Sequence, residues 1–235
     1  MLTSHCIELL ANDLIERHDL AVPINPFKLA KILGVTSFRS IEMNESGRLV
    51  RSRTETLIYL KRGQPGERRR FTTAHEIGHL ILEPNTQVAY RDSPMFVDEN
   101  QYLRECLCDR FAAALLMPER EVRKKAGSNV NLADVLRIAK EFEVSVAAFV
   151  IRLKELRIAP LAMARYEESP EGPIIRSTIC LGEPGDTYHL VTDLPTEFGN
   201  VMTITGQKGI EVLHGEIEVN KETRRGLFLG RRPNF

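Results

Sequence analysis

The sequence predicts an α+β fold, and three observations lead to that prediction. Apolar residues recur at helical spacing through much of residues 1–159. Three short runs rich in β-branched and aromatic residues interrupt this pattern between residues 36 and 61. After Pro160 the pattern changes to strand-like runs separated by Gly, Pro, Asn and Asp. We therefore expect a mixed body followed by a small β-rich region over residues 160–235.

The composition is that of an ordinary globular protein. The chain has 235 residues, of which 43% are hydrophobic and 27% charged, and its net charge is zero. A neutral chain is not drawn to nucleic acid by bulk charge, and no window of about 18 uncharged apolar residues predicts a membrane span. Charges interrupt the apolar N-terminal stretch, so we expect no secretory signal. Four scattered cysteines favour a reducing cytoplasm.

The predicted elements before residue 62 are two helices and three strands. Residues 5–18 predict the first helix, and Pro26 opens a shorter one that ends at Gly34. Strand patterns follow in residues 36–43, 47–52 and 55–61, and an N-E-S-G turn separates the first two.

Helices dominate the next hundred residues. We expect one from about residue 67 to 83, where Pro84 stops it, and one over residues 101–117. Two more are expected over residues 131–142 and 146–158, the first with a capping-box-like start and the second capped by a serine. Strand patterns then lie in residues 174–181, 187–194, 201–206, 211–219 and 225–230.

The stretch F-T-T-A-H-E-I-G-H-L-I-L, residues 71–82, carries a candidate metal site. On a helix, His75 and His79 share one face, about 6 Å apart along the axis, so two imidazole nitrogens can bind one Zn²⁺. Glu76 lies one step round and can take a proton from a water that the metal acidifies. The alternative is an ordinary amphipathic helix with solvated histidines, and the independently predicted helix favours the metal site.

The stretch E-C-L-C-D supplies a candidate third ligand. Glu105 and Asp109 are four residues apart and share a helix face. We predict that Glu105 binds the metal and that Asp109 accepts the free ring N–H of a liganding histidine. The alternative is that both acids merely face solvent. Weaker candidates lie at the end of the helix that carries the histidines or in the loop after it: Glu83, Asp92, Asp98 and Glu99.

The cysteines are poorer metal candidates. Cys106 and Cys108 point about 200° apart on a helix, so they cannot chelate one ion together. A second metal site in the β-rich region stays open as an alternative, with three candidate ligands there: Cys180, His189 and His214.

Two motifs resemble the ImmA/IrrE family of metallopeptidases. R-F-T-T-A-H-E-I-G-H and E-C-L-C-D-R-F-A-A-A-L-L-M-P are similar to the family patterns R-F-T-x-A-H-E-x-G-H and E-x-x-A-N-x-F-A-x-x-L-L-M-P. Cys108 replaces a usual alanine and Asp109 a usual asparagine. The resemblance covers residues 5–157 and implies a zincin-like core. It implies these site residues: His75, His79 and Glu105 as zinc ligands, and Glu76 as general base.

The predicted organisation has three parts. Residues 1–119 form the zincin-like core, residues 120–159 a helix-turn-helix-like module, and residues 160–235 a β-rich domain whose role stays open. The second helix of the module offers two cations, Arg152 and Lys154, and none in its first turn, where base contacts usually lie. We therefore expect no direct DNA binding.

The predicted function is that of a cytoplasmic, zinc-dependent endopeptidase. The resemblance implies that the protein substrate is a helix-turn-helix repressor encoded nearby, in a stress-response or mobile-element switch. The alternative is a DNA-binding or antitoxin-like regulatory protein with a structural metal site. A third hypothesis is an inactive binding module. We expect residues 55–61 to form an edge strand to which an extended substrate adds.

Two questions about the site stay open at this level. The second residue that stabilises the oxyanion is not identified among four candidates: Tyr90, Tyr102, His189 and His214. The basic run Arg68–Arg70 lies where positive charge opposes the helix dipole, and substrate contact would explain it.

Overall fold

The structure is a computed structural model that describes residues 4–82, 99–127 and 130–158 and the backbones of strands within residues 162–231. None of the helices in these ranges combines the length and the apolar character that crossing a membrane requires. The described chain mixes helices with two sheets, which confirms the predicted α+β class.

Six of the described helices lie close to the predicted positions, and a seventh, Glu119–Ala126, was not predicted. In chain order they are α1 (Ser4–Arg17), α2 (Pro26–Ile32), α3 (Gly66–Leu82), α4 (Glu99–Leu116), α5 (Glu119–Ala126), α6 (Leu132–Glu141) and α7 (Val146–Glu155). At the start of α6 the Asp134 backbone N–H donates to the Asn131 side chain at 2.8 Å, and the Asn131 N–H donates back to the Asp134 carboxylate at 3.4 Å. These reciprocal bonds confirm the predicted capping arrangement.

A three-stranded sheet lies between α2 and α3 in the chain. Its strands are β1 (Ser37–Ile41), β2 (Gly47–Arg51) and β3 (Thr56–Lys61), in the spatial order β1-β3-β2. β3 pairs in parallel with β1 and antiparallel with β2. The prediction that β3 is an edge strand is therefore wrong. Its Leu57, Ile58 and Leu60 are buried, and such an apolar strand is best covered by a neighbour on each side.

The C-terminal strands form a second, fully antiparallel sheet. They are β4 (Ala162–Ser169), β5 (Gly172–Ile179), β6 (Tyr188–Leu190), β7 (Val201–Gly206), β8 (Gly209–Asn220) and β9 (Arg225–Arg231). Their spatial order is β5-β4-β9-β8-β7-β6. Sequence analysis missed β4, which pairs with β5 from Ser169↔Gly172 onward. The S-P-E-G sequence at that point is a turn signal that could have revealed the hairpin.

Helices α3 and α4 contact each other at Gly78. A Cβ atom added to Gly78 would lie 3.1 Å from the Cα and 3.3 Å from the Sγ of Cys108, which is fully buried. The two helix backbones therefore approach closely only because both residues are small. Cys108 packs as a core residue, as the spacing of the cysteines predicted.

Arg70 joins three distant segments of the chain. Its guanidinium donates to the carbonyl oxygens of Ile24 at 2.6 Å and of Glu143 at 3.2 Å, and it pairs with the Glu143 carboxylate at 2.8 Å. Glu143 lies in the turn between α6 and α7, where its φ is +54°. Arg70 is thus a structural cation at the start of the helix that carries the histidines.

The two preceding arginines bond to β1 and to the turn before β2. Arg68 donates to the Ser46 hydroxyl at 2.9 Å, and Arg69 donates to the Ser40 hydroxyl at 3.1 Å. These contacts give the basic run an internal role without invoking substrate.

The chain divides into two compact units. Residues 1–121 together with residues 140–145 form the first, and residues 122–139 together with residues 146–235 form the second. The first unit is therefore discontinuous in sequence. The three-part division at residues 119 and 159 stays a prediction.

Candidate metal site

The candidate site lies between α3 and α4, which come together within the first unit. His75 and His79 lie on one face of α3, with ring centroids 4.8 Å apart and ring planes at 68°. Their Nε2 atoms are 3.1 Å apart. The four-residue spacing thus brings the two nitrogens together as a helix should.

Glu105 on α4 completes a triangle of ligand atoms. Its Oε2 lies 3.1 Å from Nε2 of His75 and 3.6 Å from Nε2 of His79. Zn²⁺ with tetrahedral bonds of about 2.0–2.1 Å holds its ligand atoms about 3.3–3.4 Å apart. The three separations bracket that value, so the donor set fits such an ion. No other group of three such side chains converges in the described part of the chain.

The histidines are not solvated surface groups. The side chain of His75 is 16% exposed and that of His79 10%, whereas Glu105 is 35% exposed. The Glu105 side chain is therefore more open to solvent than the two imidazole rings. Buried imidazoles that face each other need a shared partner, and a metal ion provides one.

Asp109 lies behind His75. Its Oδ1 is 2.7 Å from Nδ1 of His75, on the ring edge opposite the triangle. This contact favours the tautomer that leaves Nε2 free for a metal. Burial lowers the pKa of His75, but hydrogen bonds with Asp109 and Glu105 and the charges of Glu76 and Asp109 raise it to about 9. A proton therefore competes with a metal at this ring.

Glu76 is buried next to the triangle without belonging to it. It is 5% exposed. Burial raises the pKa of Glu76, and the charge of Glu105 adds to that rise. The charges of His75 and His79 and a hydrogen bond from the Leu49 backbone N–H oppose it, and the pKa stays above its ordinary value. A carboxylate of raised pKa in this position is suited to accept a proton.

Sequence analysis missed the contact between Glu76 and β2. A Cβ atom added to Gly47 would overlap the Cγ2 methyl of Thr72 and lie 2.8 Å from Oε1 of Glu76. The Leu49 N–H lies on the same strand, and the buried Thr72 hydroxyl has no hydrogen-bond partner among the described residues. We call the space bounded by Gly47, Leu49 and Thr72 the Gly47 niche. No local pattern reveals it, because β2 and α3 are far apart in the chain.

The remaining candidates divide into two groups. Tyr102 lies three residues before Glu105, is 67% exposed, and hydrogen-bonds to Cys106, which raises the pKa of Tyr102. Tyr102 thus stays open as the oxyanion-stabilising residue. The other candidates have side chains outside the described residues: Glu83, Tyr90, Asp92, Asp98, Glu99, Cys180, His189 and His214.

Comparison of the sequence with known families points to a group of peptidases. The sequence profile of the peptidase family described as the IrrE N-terminal-like domain matches residues 30–154. The match is more than half of the chain and includes both α3 and α4.

The known proteins similar to the chain include a curated metalloprotease and a solved structure. The radiation response metalloprotease IrrE of Deinococcus radiodurans is 34% identical over 102 residues, which are 42% of this chain and 30% of that protein. The chain thus matches less than a third of this relative's length. A transcriptional regulator of Mycobacterium tuberculosis superposes over 97% of this chain and 76% of its own, with a TM-score of 0.55 and 13% identity. At that identity the likeness concerns the fold alone.

Proposed function

Because the chain belongs to the ImmA/IrrE family of metallopeptidases, we propose that it is a zinc-dependent endopeptidase that cleaves a helix-turn-helix transcriptional repressor. The observation that supports this most directly is the triangle of ligand atoms beside a buried carboxylate. The ligands in this proposal are His75, His79 and Glu105, with Glu76 as the general base.

The donor set favours zinc among the common metals. Two imidazole nitrogens and one carboxylate oxygen form the ligand set of many catalytic zinc sites, which keep a fourth position for water or substrate. The Glu105 side chain is 35% exposed, so solvent reaches at least one of the three proposed ligands. A structural zinc site would instead use four protein ligands.

A bound Zn²⁺ supplies Lewis-acid charge that acidifies water and polarises the scissile carbonyl. Glu76 accepts a proton from the attacking water as the C–O bond forms. It returns that proton to the amide nitrogen as the C–N bond breaks, so that an amine and a carboxylic acid leave, and the second proton of the water is released when the acid ionises. Asp109 keeps the His75 ring in its tautomer throughout.

An extended substrate would add to β2 rather than to β3. β2 is an edge strand, and its Gly47 and Leu49 lie against Glu76. A peptide paired with this strand would therefore pass beside the general base. The backbone would supply affinity, and pockets for alternate side chains would supply selectivity.

The substrate class rests on the family resemblance. Family members are linked to helix-turn-helix repressors encoded nearby, in stress responses and mobile elements. The similarity to a radiation response metalloprotease supports a stress-related role. We place the reaction in the cytoplasm, where such a repressor acts.

We propose a structural role for the helix-turn-helix-like module. Arg152, one of the two cations on α7, is 2% exposed and lies 3.7 Å from Glu155. A buried guanidinium cannot contact phosphate, so the helix keeps only Lys154 as an exposed cation. This charge pattern disfavours the DNA-binding alternative.

The test compares wild-type protein with Glu76→Gln. Both should contain about one zinc ion per chain by elemental analysis. Only the wild type should cleave the purified helix-turn-helix protein encoded beside its gene. A specific footprint on duplex DNA, with no cleavage by zinc-loaded wild type, would instead establish the regulatory alternative. Zinc binding with neither activity would identify an inactive binding module.

A further inference from the structure

We propose that Gly47 is a positioning residue for Glu76: its missing side chain provides the space in which the general-base carboxylate is held. The proposal rests on the proposed function for its catalytic consequence and on packing for its structural basis. Gly47 begins β2, and Glu76 lies in the middle of α3.

The reason for a glycine at this position is packing rather than backbone conformation. Gly34, Gly63 and Gly127 have positive φ angles and open space around them, so their conformation requires glycine. Gly47 has no positive φ, although it ends the N-E-S-G turn. What excludes a side chain at Gly47 is contact with its neighbours.

Two contacts define the restriction. An added Cβ would overlap the Thr72 methyl, and it would lie 2.8 Å from Oε1 of Glu76, well inside van der Waals distance. Both neighbours are almost fully buried, at 4% and 5% exposure, so neither can swing into solvent. A methyl group at residue 47 therefore displaces the carboxylate or the strand.

The Gly47 niche also directs the carboxylate. The Leu49 backbone N–H donates a hydrogen bond to Glu76 from the same strand. Gly47 and Leu49 are two residues apart on β2, so the two contacts with Glu76 come from neighbouring positions of one strand. One strand thus provides both the space and the hydrogen-bond donor, and it orients Glu76 toward the ligand triangle.

The first experiment compares the kinetics of zinc-loaded Gly47→Ala and zinc-loaded wild type. A fluorescence-quenched random peptide library identifies a peptide that the wild type cleaves, and kcat and KM are then measured on that peptide. Displacement of a reacting group by about 1 Å costs about 100-fold in rate. We expect kcat to fall by that order while KM and zinc content stay at wild-type values. Wild-type kcat in Gly47→Ala would overturn the proposal.

Gly66→Ala is the matched control. Gly66 begins α3, has no positive φ, and has nothing within 4 Å of an added Cβ. The same glycine-to-alanine change, made on the helix that carries Glu76, should leave kcat unchanged. A loss equal to that of Gly47→Ala would show that the effect is not specific to the Gly47 niche.

A double variant separates the two contacts. Thr72→Ser removes the methyl group that the new Cβ would overlap but leaves the contact with Glu76. We expect Gly47→Ala/Thr72→Ser to regain thermal stability and to keep the low kcat. Recovery of wild-type kcat would assign the effect to Thr72 and overturn the proposal.

The last measurement does not depend on hydrolysis. The fall in Tm caused by Gly47→Ala should be smaller in a Glu76→Ala background, because the truncated side chain no longer meets the added methyl group. An equal fall in both backgrounds would refute the contact. If wild-type protein hydrolyses nothing, the proposed function fails, and this Tm comparison still decides whether Gly47 positions Glu76.

Discussion

Replacing Asp109 by asparagine should weaken zinc binding in a way that depends on pH. The aspartate Oδ1 lies 2.7 Å from Nδ1 of His75. Asparagine keeps the shape and a carbonyl acceptor but removes the negative charge. It is also the residue usual in the family motif, so we expect a graded change rather than loss of the site.

The size of the effect follows from two opposing contributions. Loss of a group that orients a metal-bound histidine typically lowers metal affinity about 10–100-fold. Asp109 is 60% exposed and asparagine still accepts a hydrogen bond, so we expect about tenfold. The full tenfold loss of zinc affinity appears only at a pH where His75 is unprotonated in both the wild type and Asp109→Asn.

Proton competition acts in the other direction. The pKa of His75 in the metal-free protein is raised to about 9, so the proton-bound ring is favoured below that pH. At pH 7 the wild type therefore loses about a hundredfold in zinc affinity to the proton. Without the charge of Asp109 the pKa of His75 falls, and this loss shrinks. The variant should bind zinc more weakly than wild type near pH 9 and show a smaller or reversed deficit at pH 7.

Competition with a chromophoric zinc chelator between pH 6 and pH 10 measures both curves. Asp13→Asn is the control, since it makes the same change in net charge at an exposed residue of α1 that pairs with Arg17. A deficit that is constant with pH would refute the proton-competition argument. Equal affinities at every pH would show that Asp109 does not orient His75, and complete loss of zinc would make Asp109 a ligand.

Three further predictions concern the same core. Glu105→Ala should lower zinc content well below one ion per chain by elemental analysis, whereas Glu76→Gln should keep the metal; full zinc in the former would exclude Glu105 as a ligand. Gly78→Val should separate α3 from α4, lowering the free energy of unfolding by about 1–3 kcal/mol and weakening zinc binding; an unchanged Tm would contradict this, and Gly66→Ala again serves as control. Arg70→Ala should lower the free energy of unfolding, measured by chemical denaturation, by about 3 kcal/mol, because it leaves carbonyl groups without a charged donor. Wild-type stability in this variant would show that the contacts of Arg70 do not stabilise the fold.

Local patterns predicted that His75, His79 and Glu105 converge, because each part of that arrangement is set by helix geometry. His75 and His79 share a face through a four-residue spacing, and the same spacing relates Glu105 to Asp109. The remaining unknown was whether the two helices meet. Their small contact residues make a close approach possible, and the family motif implied it.

Long-range pairings were beyond the reach of those patterns. In the order β1-β3-β2 the central strand is β3, which has a neighbouring strand on each edge. The residue pattern within residues 55–61 does not indicate whether that strand is central or at an edge. The sequence indicated only that Gly47 belongs to a turn. Its contact with Glu76 arises only because β2 lies next to α3. Arg70 likewise read as one member of a basic run, whereas its partners are 46 and 73 residues away.

The discontinuity of the first unit sets an order of events during synthesis. Residues 140–145 belong to that unit, and Arg70 reaches Glu143 across an intervening segment of the second unit, residues 122–139. At a translation rate of about 5–20 residues per second, the ribosome needs roughly 1–5 s to make residues 122–145. The three proposed ligand residues are synthesised before Glu143, the last partner of Arg70. Helices form in about a microsecond, so α3 and α4 have time to form before Glu143 is made. A metal ion at the proposed site can therefore bind to the nascent chain before the first unit is complete.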